Sequence, residues 1–246
     1  MQPTFVIVGA AGGIGSDLCA RLAARGPCNM FVAGRDVAKL DRLASQLPGA
    51  TVVARALDAT DSGAVEALFA EASALGPITG AANLCGSILL KPAHLTSDKE
   101  FADTIATNLV TAFNVLRSAA KAMTQAGGSI ALVSTVATKI GLANHEAIAA
   151  AKGGINGLVL SAAATYANRG IRVNAVAPGL VRTPLSERLT SSEATLKAST
   201  AMHPLGRIGE PADVGTALAW LLDPATSWVT GQVLSIDGGL SCVKPR

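Results

Sequence analysis

The chain has 246 residues, half of them hydrophobic, 15% charged and only 3% aromatic, which is enough for one large domain with an aliphatic, alanine-rich core. A net charge of +3 with no basic cluster argues against a nucleic-acid partner. Four cysteines without ligand-like spacing (Cys19, Cys28, Cys85, Cys242) fit a reducing cytoplasm better than a disulfide framework.

Residues 5–8 are β-branched and aromatic and read as a buried strand. The strand stops at Gly9, and Gly9-Ala10-Ala11-Gly12-Gly13-Ile14-Gly15 leads into a helical pattern over residues 16–25. Glycines at a strand-to-helix junction allow a tight turn and leave helix N-terminal N–H groups free for an anion. A dinucleotide phosphate is the usual occupant. Gly26-Pro27 ends the helix. Strands follow at 29–34, 51–57 and 78–84, with helices at 36–47 and 61–75 between them. After a loop at 85–96 comes one long helix, 97–125, broken by Gly127-Gly128. A fifth strand is expected at 129–134, a helix at 145–168 and a sixth strand at 171–177. The segment 178–203 has little strand character, and its length marks it as a binding loop or lid. A helix at 211–222 and a strand at 232–236 complete the series. The N-terminus lacks a basic segment, against a signal peptide, and no run of about eighteen apolar residues predicts a membrane span. The alternation predicts one α/β domain, residues 1–246, built on a parallel, doubly wound sheet of about seven strands. Its ligand crevice lies at the carboxyl ends of the strands.

Where the second strand ends, Val32-Ala33-Gly34 is followed by Arg35. Gly34 removes the carboxylate that would accept ribose hydroxyls, and Arg35 offers a donor fork suited to a 2′-phosphate. That pattern points to NADP(H); the other role open to Arg35 is an ion pair with Asp36.

The glycine loop, the alternating strands, Pro178-Gly179 after the sixth strand and Asp237-Gly238-Gly239 after the seventh together resemble the short-chain dehydrogenase/reductase family over essentially the whole chain. The resemblance implies a Rossmann-type nicotinamide-dependent oxidoreductase of the 3-oxoacyl-carrier-protein-reductase kind, with a substrate lid at about 179–205. It places Gly9, Ala11, Gly12, Gly13, Ile14 and Gly15 on the cofactor, with Asp58 at the adenine. The sequence alone leaves open that Asp58 serves as a helix cap or turn residue. Asn83-Leu84-Cys85-Gly86 stands where the family usually has Asn-Asn-Ala-Gly, and Pro178, Gly179, Val181 and Thr183 match the segment flanking the nicotinamide. Asn83 and Gly86 are therefore expected at the cofactor, Asn108 in the catalytic set, and Lys152 at the ribose. The family also implies a homotetramer, or a homodimer, formed through the long helices and the last strand.

The catalytic motif departs from this pattern. Family members carry a tyrosine four residues before the lysine and a serine thirteen residues before the tyrosine. In this chain those positions are Ile148 and Thr135, with Lys152 retained. A threonine hydroxyl can replace serine, but isoleucine has no proton to give. The loss of a general acid is worth on the order of 10²–10⁴ in rate, so ordinary carbonyl reduction should be absent or slow. Three readings remain: hydride transfer to an activated C=C or C=N bond, another proton donor, or NADP(H) binding without turnover as a sensor or structural subunit. Candidate donors are Lys152 and His145, three residues before Ile148 on the same helix. An exposed histidine at a helix start is more often idle. Tyr166, the single tyrosine, lies five turns along the helix. His94 and His203 read as polar loop residues, and three scattered histidines make no metal site. Leu185, Leu189, Leu196, Met202 and Leu205 in the lid, with Ile88, Leu89 and Leu90 opposite, mildly favour a small apolar substrate or else pack the lid down.

Overall fold

The computed structural model describes residues 2–244. Seven strands, β1 (Thr4–Val8), β2 (Cys28–Gly34), β3 (Ala50–Ala56), β4 (Ile78–Asn83), β5 (Gly128–Val133), β6 (Ile171–Pro178) and β7 (Val233–Ile236), form one parallel sheet in the order β3-β2-β1-β4-β5-β6-β7. The helices are α1 (Gly13–Ala23), α2 (Val37–Ser45), α3 (Ser62–Ala74), α4 (Asp98–Ile105), α5 (Thr111–Met123), α6 (Glu146–Tyr166), α7 (Glu187–Thr190), α8 (Glu193–Met202) and α9 (Pro211–Leu222).

Side chains alternate across each strand, so the sheet carries a core on both faces. Val6, Val8 and Phe31 pack with Val65 of α3, Val115 of α5 and Ile155 of α6. Ile7, Met30 and Val32 point the other way, onto Leu18 of α1, Leu40 of α2 and Leu218 of α9. Helix starts follow side-chain capping: Asp36 accepts from Lys39 N at 3.1 Å and Asp61 from Gly63 N at 2.8 Å, each such cap being worth ~1 kcal/mol. Glu146–Arg169, which contains α6, is long and apolar enough by composition to cross a membrane, contrary to expectation. In the fold it is a core helix, with Ala151, Ile155 and Val159 buried.

The expected single helix over 97–125 is interrupted. Between α4 and α5 the backbone widens into a π-turn at Ala106–Val110, which carries Asn108. Such turns are a single inserted residue inside a helix and cluster at functional sites.

The chain works outward from β1 to β3 and then returns to β4 on the other side of β1. That reversal is the topological switch point, where the loops leaving β1 and β4 diverge and a ligand crevice opens. Val8 and Asn83, the last residues of those two strands, are paired in register.

Candidate active site

A cleft of about 650 Å³ runs over the carboxyl ends of the strands, from Arg35 and Asp58, past the glycine loop, to Thr135, Ile148 and Lys152. Two glycines of its floor have no room for a side chain. A Cβ on Gly9, whose φ is +81°, would stand 2.7 Å from Leu84 C, and one on Gly15 would stand 2.5 Å from Gly9 O. The loops after β1 and β4 therefore touch backbone to backbone. The N-terminus of α1 has no side-chain cap and no acidic residue in its first turn. Its N–H groups and the helix dipole are left for an anion. A cradle of this shape fits the pyrophosphate of a dinucleotide, and Gly12, Gly13, Ile14, Gly15 and Ala11 line it.

At one end Arg35 is exposed beside the cleft. Asp36 does not hold Arg35; it caps α2 and pairs with Lys39 at 3.5 Å, so the ion-pair alternative for Arg35 is not what the structure shows. Lys39 lines the same end. It had not been singled out, although it sits one helical turn beyond Arg35, a spacing that sequence alone offers. Asp58 lines the cleft while its Oδ1 accepts from Thr60 N at 2.9 Å and Thr60 Oγ1 at 2.8 Å. These bonds, with Arg35 nearby, hold its carboxyl below the usual range. The turn role left open for Asp58 is present, and the residue also faces the cleft.

At the other end Lys152 is buried and donates from Nζ to Val133 O at 2.7 Å. Burial pushes its pKa down to about 8. The neighbouring Cys85 thiol is pushed up to about 11 by its own burial, so it stays protonated. Thr135 lines the cleft, and its hydroxyl accepts from Ala137 N at 3.4 Å. A chain of bonds braces that strand end: Ser134 Oγ to Asn156 Oδ1 (2.7 Å), Asn156 Nδ2 to Thr138 Oγ1 (3.0 Å) and Thr138 Oγ1 to Thr135 O (2.8 Å). Ile148 is 6% exposed and lines the same cleft. Asn108 is fully buried, and its Nδ2 reaches back to Thr104 O at 2.9 Å across the π-turn. Gly86, Pro178, Gly179, Val181 and Thr183 line the cleft.

Two expected site residues do not reach it. Asn83 is buried beneath the floor, donating to Thr111 Oγ1 at 3.1 Å and accepting from Cys85 N at 3.4 Å. It shapes the loop instead of lining the cleft. His145 precedes α6 with Nδ1 bonded to Ala143 O at 2.8 Å and is not among the lining residues. Tyr166 packs against the core instead. His203 is buried, donating from Nδ1 to Ser199 O at 2.7 Å and accepting at Nε2 from Leu180 N at 3.3 Å. It ties α8 to the cleft rim, a structural part that a loop histidine does not announce. Of the apolar lid and loop residues, Leu185 and Ile88 line the cleft; Leu205 lines a separate cavity beside β7. Ser87, Thr60 and Thr107 line the main cleft without having been foreseen.

A sheet with this order and a glycine-lined cradle at its switch point is the framework of a dinucleotide-binding domain. The family model described as enoyl-(acyl carrier protein) reductase matches residues 9–241. Galactitol 2-dehydrogenase (L-tagatose-forming) of Cereibacter sphaeroides is 36% identical over 238 residues, 95% of this chain and 92% of that protein. A short-chain type dehydrogenase/reductase from Mycobacterium ulcerans superposes with a TM-score of 0.93 at 28% identity, over 100% of this chain and 92% of that one. An actinorhodin polyketide ketoreductase variant, solved with NADPH, gives 0.92 at 28% identity, over 98% of each chain. The chain belongs to the short-chain dehydrogenase/reductase family of oxidoreductases.

Proposed function

We propose that this protein is an NADP(H)-dependent reductase of an activated C=C or C=N bond that works without a tyrosine acid. The observation that carries the reading is Ile148, an aliphatic side chain in the wall of a cleft that Asn108, Thr135 and Lys152 also line. The bound nicotinamide would supply or accept hydride. Arg35 and Lys39 supply the positive charge that a 2′-phosphate needs, and the NADPH-containing structural relative agrees with that choice. Lys152 spends one of its three N–H donors on Val133 O and keeps two for the ribose or the substrate. Thr135 keeps its O–H proton for a substrate atom. Neither hydroxyl nor isoleucine replaces a phenolic acid, so simple ketones are poor substrates by a factor on the order of 10²–10⁴. Ile88 and Leu185 at the mouth suit a small apolar substrate. We place the protein in the cytoplasm, as a homotetramer or homodimer.

The test is NADPH oxidation across ketones, cyclic imines and conjugated enones or enals. Turnover of enones or imines but not ketones is expected. Ile148→Tyr should add ketone reduction, because the rest of the set is present. Tight NADPH binding with no turnover of any class would replace this reading with the second one that Ile148 favours, a cofactor-binding sensor or structural subunit.

A further inference from the structure

Ser87 follows Gly86 on the loop between β4 and α4 and lines the cleft. Asn108 grips it at two points: Ser87 N donates to Asn108 Oδ1 at 3.2 Å, and Asn108 Nδ2 donates to Ser87 Oγ at 3.0 Å. The side chain of Asn108 has no freedom to let go, since it is fully buried and also bonded to Thr104 O at 2.9 Å. A hydroxyl that accepts a hydrogen bond still has its own proton to donate, and among the described residues the Ser87 proton has no acceptor. The loop lies against the buried lysine: a Cβ on Gly86 would stand 3.0 Å from Asn108 Oδ1 and 3.6 Å from Lys152 Nζ. The lining of the cleft therefore offers two hydroxyl donors, Ser87 and Thr135, and the buried Lys152.

We propose that Ser87 is a substrate-holding residue whose hydroxyl donates to the carbonyl oxygen of a conjugated enone or enal. This proposal rests on the reductase reading above. It narrows the substrate to one that develops negative charge on oxygen. Hydride adds at the β-carbon, the C=C electron pair shifts to leave an enolate oxygen, and water gives the α-carbon its proton. The reduced dinucleotide is oxidised in the same step. Fixed donors aimed at a developing oxyanion are the arrangement that stabilises such a charge. An iminium ion has no lone pair for these donors and meets the Lys152 ammonium with like charge.

Three proteins decide the matter: wild type, Ser87→Ala and Ser87→Thr. Each is titrated with NADPH by fluorescence, assayed for NADPH oxidation with cyclohex-2-enone and with a cyclic iminium ion, and titrated in its NADP⁺ complex with 4-nitrophenol. The nitrophenolate absorbance reports oxyanion binding without turnover. For cyclohex-2-enone, Ser87→Ala should lose roughly 10²–10³-fold in kcat, the usual effect of removing one oxyanion donor, with NADPH affinity unchanged. It should also bind 4-nitrophenol with less ionisation. Ser87→Thr should recover most of both. Wild-type kcat in Ser87→Ala, a parallel loss of NADPH affinity, or reduction of the iminium but not the enone would overturn the proposal. Wild type that ionises 4-nitrophenol through Ser87 yet reduces nothing would leave the donor role standing and overturn the reductase reading instead.

Discussion

Lys152 combines a positive charge with burial, and that combination costs stability. In the folded, cofactor-free chain its pKa is about 8, against an ordinary value near ~10.4 in the unfolded chain. Between those two values the unfolded state holds more protons, so stability rises with pH across that window. Below it the penalty is present in full. Thermal melts should show wild type gaining stability relative to Lys152→Met as pH is raised from about 8 to about 10.4, and a flat difference would mean the lysine is not desolvated. Arg35 works the opposite way, in solvent, by meeting a charged ligand. Charge-assisted hydrogen bonds are worth about 1.5–3 kcal/mol, so Arg35→Ala should weaken NADPH binding roughly tenfold to a hundredfold and leave NADH nearly unchanged. Equal losses for both cofactors, read by fluorescence titration, would remove the 2′-phosphate role. Arg35, Thr135, Ile148 and Lys152 were legible in the sequence because each holds a fixed offset from a recognisable motif. Asn83 departs from its expected place at the cofactor for a reason spacing does not show. Paired to β1 at its last residue, Asn83 turns inward under the floor, and Ser87 emerges four residues later into the cleft.

The elements differ in how firmly they are held. Helix α9 buries six residues, among them Val214, Leu218 and Leu222, whereas α7 and α8 bury none. The lid is tied down at its two ends, by Arg182 N donating to Gly209 O at 2.8 Å and by His203 bridging Ser199 and Leu180. Segments with few buried apolar contacts open locally at a cost close to ~0 kcal/mol, while core helices approach the global stability. Amide exchange should therefore be fast over residues 187–202 and slow over α9. NADPH with an enone should protect the lid selectively, because Val181, Thr183 and Leu185 line the cleft beside it. Lid amides as slow as those of α9 in the free protein would contradict this. The lid's existence was readable from its length and lack of strand pattern. The π-turn at Ala106–Val110 was not, because the apolar positions on either side continue a helical rhythm through Leu109 and Ala112. One inserted residue leaves that rhythm nearly intact while turning Asn108 inward.

At the scale of the whole molecule, the alternation of strands and helices makes a parallel sheet the natural reading, and right-handed crossovers limit how it can be wound. The position of the reversal between β1 and β4 is not written in hydrophobicity; it is marked by glycines, which let the two diverging loops meet backbone to backbone at Gly9 and Leu84. The finished surface is larger than a lone domain needs. The chain exposes 11523 Å² for its 24.7 kDa, where a compact monomer of that mass exposes about 10,100 Å². Exposed apolar side chains lie on one layer, where Phe101, Val110 and Phe113 stand on the α4–α5 stretch and Leu160 on α6, between 37% and 63% exposed. Helix α6 packs against both α4 and α5, so these side chains share one side of the sheet. Trp220 and Trp228 are exposed elsewhere, flanking the approach to β7. Two such regions are what a dimer of dimers requires, each interface needing about 1,600 Å² in all. Light scattering after size exclusion should give four times the 24.7 kDa chain mass, or twice that mass if only one region pairs. Phe113→Glu together with Leu160→Glu puts charge into the α5–α6 side and should halve the particle while leaving NADPH binding intact, since neither residue lines the cleft. A monomeric wild type would show that these faces meet solvent and that the site is complete in a single chain.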